Sequence, residues 1–365
     1  MGLGLKPTIA RVTFGLNNLA VRLLPQRRHL ITLTYHRVGN REQLFPESVG
    51  LAECSLEVFE AEMAWLCRHC TLLDLEQART VVEGRRPCPD HAVLVTFDDG
   101  YRDDLLRIEP CLQRHGIRPV VFLPTDYIGT RRRFWWDRLG ACVQLTSKRR
   151  LSLLLGGIAV DLPLDSSQER DAAVAALSGH AKQLSSTAQR EQFVAEVEAD
   201  LDLSDMGQAD RPLVLSWDEV RALRSTFDFG AHTESHPVMA QLDVEEARRE
   251  LERSKQIVER ELDAPCESVA IPYGLTGDYT QETVRIAAEV GYALIFSLEE
   301  TLRRPVRYGG LHLVDRVALD PLGGLPVMAL KLTWPELFVP DWTDRARRLL
   351  AGLRDRAKLR ATGRS

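Results

Sequence analysis

Two short stretches of the sequence carry side chains that suit a catalytic metal ion. Asp98 and Asp99 are adjacent in the first stretch, and His232 and His236 lie four residues apart in the second. A catalytic zinc ion takes three such protein ligands and leaves one position for water. The bound ion lowers the pKa of that water to about 7. We therefore predict Asp99, His232 and His236 as metal ligands and Asp98 as the base that accepts a proton from the water.

The ligand types leave the metal itself open. Zinc is the default for one carboxylate and two imidazoles, and cobalt, nickel or iron would also be accepted. Because such an ion polarises a carbonyl oxygen as well, the indicated chemistry is hydrolysis, in which a leaving amine must gain a proton. His36 is the best candidate for the acid that supplies this proton.

Each of these residues follows a short apolar run of the kind that forms a buried strand, and helical patterns separate the runs. The predicted strands are Leu30–Tyr35, Ala92–Phe97, Pro119–Leu123, Phe227–Ala231, Ser268–Ile271 and Tyr292–Ser297. The predicted helices include Leu56–Cys70, Asp243–Leu262 and Gln281–Val290. In a β/α barrel the loops after the strands share one face, so the candidate residues are expected to meet there.

One stretch, at about 130–211, interrupts the alternation of strands and helices. It begins with the aromatic residues Phe134-Trp135-Trp136, continues with a strand pair near Leu151–Leu162, and contains a polar helical region at Ser166–Asp200. We interpret it as an insertion on one barrel loop. It is either a lid over a substrate groove or a helical subdomain that only packs against the barrel.

Three motifs resemble those of a known family. Thr96-Phe97-Asp98-Asp99-Gly100 and His232-Thr233-Glu234-Ser235-His236-Pro237 resemble the first two motifs of the polysaccharide deacetylase family, the NodB-homology group of carbohydrate esterases. Ala270-Ile271-Pro272-Tyr273-Gly274 resembles the third. The resemblance covers roughly residues 30–320 apart from the insertion. It implies a distorted, incomplete (β/α) barrel of the α/β class and metal-dependent removal of an acyl group from an N-acylated sugar.

The resemblance also implies roles for single residues. Asp98 would be the base, and Asp99, His232 and His236 the metal ligands. The segment containing Pro272 and Tyr273 would bind the substrate, and the Tyr273 backbone N–H would help to hold the oxyanion.

The sequence departs from the family pattern at two points. The third motif usually carries an Arg that braces the base, but Ala270 occupies that position, and Arg316 is the candidate replacement. The late Leu-His-Asp motif that usually supplies the acid is also absent. Thr34-Tyr35-His36-Arg37-Val38 instead resembles the Tyr-His-Arg segment of the exopolysaccharide-modifying branch, in which an early His takes that place. This favours His36 as the acid and leaves His312 as the second choice.

The composition is typical of a folded globular protein. Of its 365 residues 44% are hydrophobic and 27% are charged, which excludes disordered and collagen-like chains. No apolar run approaches the roughly 20 residues that a membrane-spanning helix needs. The seven cysteines are irregularly spaced, and we find no signal-peptide pattern, so we expect a reducing, cytoplasmic location.

Basic residues concentrate at both ends of the chain. Residues 1–41 contain seven basic and no acidic residues, and residues 343–365 contain eight basic and two acidic ones. We divide the chain into a basic amphipathic segment at 1–28, a barrel at 29–342 and a basic tail at 343–365. The ends either make peripheral contact with an anionic membrane or pack against the barrel. Nucleic acid is not an expected partner, because the acidic middle would repel phosphate.

These observations predict a hydrolase that removes an N-acetyl or N-formyl group from an amino sugar. A polyprenyl-linked sugar at the inner leaflet, in glycolipid or surface-polysaccharide synthesis, is the expected substrate. The alternative is a non-catalytic sugar-binding or scaffold protein that keeps the fold. A serine hydrolase is disfavoured, because the sequence contains no Gly-x-Ser-x-Gly elbow.

Overall fold

The computed structural model describes residues 29–39, 52–155, 158–203, 209, 211–299, 305–319 and 324–333. The two basic segments predicted at 1–28 and 343–365 lie outside these residues. No helix in the described part of the chain has both the length and the apolar character needed to cross a bilayer.

A ring of parallel strands forms the centre of the fold. In chain order the described strands are β1 (Ile31–Tyr35), β2 (Arg37–Val38), β3 (Ala52–Cys54), β4 (Thr71–Leu72), β5 (Ala92–Phe97), β6 (Val120–Leu123), β7 (Arg150–Leu155), β8 (Ile158–Pro163), β9 (Asp228–Ala231), β10 (Ser268–Ala270), β11 (Leu294–Ser297), β12 (Val306–Tyr308) and β13 (Leu311–Ala318). Seven of them follow one another around the ring in the order β1, β13, β11, β10, β9, β6, β5. The predicted (β/α) barrel is therefore confirmed, with one strand fewer than a complete eight-stranded barrel.

Strand β1 closes the ring, because it pairs with β5 on one side and with β13 on the other. Thr34 lies opposite Thr96 of β5, and Thr32 lies opposite Arg316 of β13. The two short strands β4 and β12 extend the sheet beyond the ring, and β12 is antiparallel to β13.

Helices cover the outside of the ring and fill the long connection between β6 and β9. In chain order they are α1 (Leu56–His69), α2 (Leu75–Val82), α3 (Arg102–His115), α4 (Trp135–Leu145), α5 (Ser167–Gln183), α6 (Thr187–Asp200), α7 (Trp217–Ala222), α8 (Val244–Leu262), α9 (Gln281–Val290) and α10 (Gly324–Thr333). Capping residues determine the ends of several helices. Asp243 caps the start of α8 by accepting a hydrogen bond from the Glu246 amide, and α9 ends at Gly291, whose φ is 92°.

The six predicted strands are present, with ends that differ by at most two residues. Strand β13 was not predicted. Its sequence Leu-His-Leu-Val-Asp-Arg-Val-Ala places charged residues inside what would otherwise be an apolar run.

The chain between β6 and β9 has an apolar core of its own. Helices α4, α5 and α6 and the β7–β8 hairpin enclose buried side chains such as Leu139, Leu177 and Val194, which form a cluster apart from the barrel core. This region, called the insertion below, is attached to the barrel on the side where β6 and β9 end.

Candidate active site

The candidate residues lie at the carboxyl ends of the barrel strands. Asp98 and Asp99 directly follow β5, and His232 directly follows β9. Asp99, Thr233 and His236 have φ values of 68°, 64° and 60°, a left-handed backbone that residues other than glycine rarely adopt. Such strain costs on the order of 1–3 kcal/mol per residue and is concentrated in proteins at functional sites.

Asp99, His232 and His236 converge on one point. The Asp99 Oδ1 atom is 3.7 Å from His232 Nε2 and 3.5 Å from His236 Nε2, and one ligand atom from each residue lies within 4.8 Å of the others. Ligand atoms about 2.1 Å from a tetrahedral ion are separated by roughly 3.4 Å. All three residues are buried. This donor set therefore fits one divalent metal ion.

Hydrogen bonding and burial put His232 in the form that binds metals. Its Nδ1 donates to the Ala270 carbonyl at 2.8 Å, which leaves the lone pair of Nε2 directed away from that bond. Burial lowers the pKa of His232 to about 4. Burial, together with the neighbouring His232, also lowers the pKa of His236 well below its usual value. Both imidazoles are therefore neutral at pH 7 in the absence of metal.

Asp98 is held by a two-pronged ion pair. Arg316 Nη1 donates to Oδ1 at 2.7 Å and Nη2 donates to Oδ2 at 2.8 Å, with both side chains almost completely buried. Burial would raise the pKa of Asp98, but Arg316, helped by His232 and His36, outweighs this effect and holds it far below its usual range. Arg316 thus contacts Asp98 as expected of the arginine that replaces the one missing from the third motif.

The two histidines considered as the acid lie at opposite ends of the barrel. His36 follows β1, its Nε2 is 3.7 Å from Asp98 Oδ2, and its side chain is 30% exposed. His312 is near the beginning of β13, four residues before Arg316, which corresponds to about 13 Å along a strand. The structure therefore brings His36 to the site and leaves His312 away from it.

The loop after β10 forms one side of the site. Tyr273 has a φ of 61°, and its ring centre is 5.0 Å from that of His236. Pro272 is buried beside it, and its carbonyl accepts a hydrogen bond from the Gly274 amide at 2.7 Å. A Cβ atom on Gly274 would lie 2.9 Å from the Leu298 backbone nitrogen, so this tight turn requires glycine.

Comparison with known proteins agrees with this geometry. The family model described as polysaccharide deacetylase matches residues 164–295, which include both imidazoles and the Tyr273 loop. The putative polysaccharide deacetylase YxkH of Bacillus subtilis (strain 168) is 30% identical over 88 residues, which are 24% of this chain and 31% of the relative's length. Over residues 164–295 the chain is similar to the polysaccharide deacetylase family.

Solved structures of deacetylases share this fold. The deacetylase PplD of Streptococcus pyogenes, whose structure contains acetate, has a TM-score of 0.50 at 15% identity, over 82% of this chain and 97% of the other. IcaB from Ammonifex degensii has a TM-score of 0.50 at 19% identity, over 84% and 98% of the two chains.

Sequence reasoning missed the part of the site that comes from the insertion. Trp135 Nε1 donates to the Tyr273 hydroxyl at 2.9 Å, and the ring of Trp136 lies 5.0 Å from that of His236. Trp136 Nε1 also donates to the Tyr101 hydroxyl at 2.8 Å. The run of three aromatic residues at the start of the insertion was the available signal. These contacts bring the start of the insertion against the site, and its role as a lid or as a packing subdomain stays a prediction.

Proposed function

We propose that the protein is a metal-dependent hydrolase that removes an N-acetyl or N-formyl group from an amino sugar. The observation that carries this proposal is the convergence of Asp99, His232 and His236 within 4.8 Å. A second, ionised carboxylate lies beside them, since Asp98 Oδ2 is 3.8 Å from His232 Nε2. Similarity to the polysaccharide deacetylase family supports deacetylation of a carbohydrate in general.

Asp99, His232 and His236 would hold the metal ion. Zinc is the default for this ligand set, with cobalt, nickel and iron as the alternatives. When bound, such an ion supplies Lewis acidity toward the acyl oxygen and lowers the pKa of a water molecule.

Asp98 would act as the base. The ion pair with Arg316 keeps its pKa low, so the carboxylate is ionised over the whole physiological pH range. The two-pronged contact also fixes the plane of the carboxylate, because both oxygens are held at once. Arg316 is in this scheme a positioning residue.

His36 and Tyr273 would complete the reaction. As the oxygen of water bonds to the acyl carbon and the carbon–nitrogen bond breaks, Asp98 receives the proton of the water and His36 gives one to the departing nitrogen. The Tyr273 backbone N–H would stabilise the negative charge that develops on the acyl oxygen. The products are a carboxylate, acetate or formate, and a free amino sugar.

The proposed substrate is a polyprenyl-linked amino sugar of glycolipid or surface-polysaccharide synthesis at the inner leaflet of the membrane. Two features support it: the Tyr-His-Arg segment that contains His36, and the basic sequences at 1–28 and 343–365. Flotation of the protein with anionic liposomes, with and without residues 1–28, tests the membrane contact. Absence of binding by the full chain would contradict it.

Acetate release from N-acetylated sugars, followed by mass spectrometry, tests the reaction. We expect Asp98→Asn to lower kcat by about a thousandfold or more while the metal content stays unchanged. Asp103→Asn is the matched control, because Asp103 pairs with Arg102 and Arg211 at the surface and is expected to leave kcat unchanged. A wild-type rate in Asp98→Asn would overturn the assignment. Sugar binding without release of any acyl group would instead support the scaffold alternative.

A further inference from the structure

Arg190, in α6 of the insertion, is a buried cation that faces neutral partners. Its side chain belongs to a residue only 2% exposed. Its Nε donates to the Ala181 carbonyl at 3.1 Å and its Nη2 to Gln241 Oε1 at 3.3 Å. Among the described residues, no Asp or Glu forms an ion pair with it. Buried charges are costly unless they are paired, so this arrangement calls for a counter-charge from elsewhere.

The other deeply buried arginines show the usual solution. Arg37 and Arg316 are 2% and 1% exposed, and they face the carboxylates of Asp104 and Asp98. Arg190 therefore differs from arginines of equal burial in the same protein.

Arg190 lies behind the wall of the candidate active site. Its guanidinium carbon is 5.6 Å from the ring centre of Trp135, whose Nε1 donates to the Tyr273 hydroxyl. Trp135 and Tyr273 thus connect the guanidinium to His236, whose ring centre is 5.0 Å from that of Tyr273.

A second cation from the insertion, Lys182, contacts the ring of Tyr273. Lys182 Nζ is 4.9 Å from the ring centre of Tyr273 and 3.5 Å from Asp278 Oδ2. Lys182 is partly exposed, with a side-chain accessibility of 36%. Lys182, which is partly open to solvent, and its partner Asp278 thus lie at Tyr273, and the buried Arg190 lies behind Trp135.

We propose that Lys182 and Arg190 select a substrate that carries an anionic group, a phosphoryl or a carboxylate, next to the N-acyl sugar. The inference rests on the proposed deacetylase function. Lys182 contacts the anion, and Arg190 supplies a positive field that is strong because water is excluded around it. Because the ring centre of Tyr273 is 4.9 Å from Lys182 Nζ and 5.0 Å from that of His236, Lys182 Nζ is at most 9.9 Å from the His236 ring centre, a span that one sugar residue with its substituents can bridge.

The test compares KM values for three substrates: N-acetylglucosamine 1-phosphate, N-acetylmuramic acid, and the neutral methyl glycoside of N-acetylglucosamine. We expect the wild type to prefer one of the two anions over the neutral sugar. Arg190→Met should raise KM for that anion by about ten- to a hundredfold, with kcat and the neutral sugar affected little. Arg190→Lys should retain most of the preference, because it retains the charge.

Two further variants give effects of opposite sign. Lys182→Met should weaken the anion preference, whereas Asp278→Asn should strengthen it, because Lys182 loses its competing partner. Arg150→Met is the matched control, since Arg150 is an exposed insertion residue paired with Asp161. It should change neither preference nor rate.

The outcomes show which of the two anions is preferred. They also distinguish a failure of this inference from a failure of the proposed function. A preference for the phosphate or for the carboxylate that Arg190→Met abolishes identifies the anion. Equal KM values for all three sugars in the wild type, or an anion preference that survives Arg190→Met, overturn the inference. If no sugar is hydrolysed, the proposed function fails. The anion preference can then be measured alone, by calorimetric binding of the same sugars to the zinc-loaded Asp98→Asn variant with and without Arg190→Met.

Discussion

At the rim of the barrel, Asp98 and Asp99 are each 3% exposed and are surrounded by two buried imidazoles and a buried guanidinium. Many ion pairs of the insertion lie at the surface, as in Arg149–Asp165, whose side chains are 83% and 45% exposed, although Arg138–Glu198 is largely buried at 14% and 10%. Surface pairs contribute at most about 1 kcal/mol, whereas breaking a buried pair costs about 3–5 kcal/mol. Substitutions of the buried charges at the site should therefore cost more than substitutions of the exposed pairs of the insertion.

The insertion is stabilised instead by its apolar core, and only its inner edge takes part in the site. That edge consists of Trp135 and Trp136 at one end and Lys182 and Arg190 at the other. The comparison teaches that sensitivity to substitution follows contact with the rim. The following predictions test this contrast.

Loss of a metal ligand should have the largest effect. We expect Asp99→Ala or His232→Ala to reduce metal content to background and kcat/KM by at least about a thousandfold, since the Lewis acid is lost. Metal analysis of the purified variants and acetate release measure this. A chelator should reproduce the loss in the wild type, and added zinc should restore activity in the wild type only. A variant without metal that keeps its activity would contradict the assignment.

Replacement of Arg316, the ion-pair partner of Asp98, should have the second-largest effect. Arg316→Met leaves the Asp98 carboxylate buried without its partner, and we expect a loss of about 3–5 kcal/mol in the free energy of unfolding. The pKa of Asp98 should also rise, which moves the acid limb of the pH–rate profile upward. Arg316→Lys keeps the positive charge but not the two-pronged contact, so its stability should lie between those of the wild type and Arg316→Met. Urea denaturation and pH–rate profiles measure these effects, and unchanged values for Arg316→Met would be inconsistent with the ion pair.

The metal-free protein should lose stability in mild acid. Burial lowers the pKa of His232 to about 4, while the unfolded chain titrates near 6.5. Between these values the unfolded state binds more protons, so the free energy of unfolding falls as the pH falls, by on the order of 3 kcal/mol at pH 4. His236 acts in the same direction. The low pKa of Asp98 adds its own loss only below about pH 4.

Urea denaturation of chelator-treated protein between pH 7.5 and pH 4.5 measures this dependence. His232→Gln should reduce this dependence, because one of the two titrating rings is gone and the other, His236, remains. A wild-type stability that stays constant over this interval would show that the imidazoles are not held neutral by burial.

The smallest effect is expected at the edge of the insertion. Trp136→Leu removes the ring that contacts His236 and the N–H that donates to Tyr101, and we expect kcat/KM to fall by about tenfold. Trp136→Phe keeps a ring at this position and should fall less. Steady-state kinetics with one acetylated sugar measures both. A Trp136→Leu variant as active as the wild type would show that the insertion packs without acting as a lid.

The sequence was informative where a local pattern determines the structure. The strands before Asp98 and His232 are uninterrupted apolar runs, and their ends place the carboxylates and imidazoles on one face of the barrel. These residues could therefore be predicted to meet.

The remaining parts of the site depend on contacts between distant segments. Strand β13 has charged residues because one of them, Arg316, points into the barrel toward Asp98, and this hides the strand in a hydrophobicity pattern. Two features arise from how the insertion folds back over the barrel: the contact of Trp136 with His236, and the burial of Arg190 without a carboxylate partner among the described residues. No spacing along the chain encodes these contacts.

The closure of the ring through β1 has a consequence for biosynthesis. Asp98 and Arg316 are 218 residues apart, so at roughly 5–20 residues per second the arginine emerges from the ribosome on the order of 10–45 s after the aspartate. During this interval the nascent sheet is open along one side of β1, and the carboxylate waits in water. The candidate site is thus completed only when β13, the last strand of the described residues, joins the ring, so a chain that stops before β13 should lack the ion pair of Asp98.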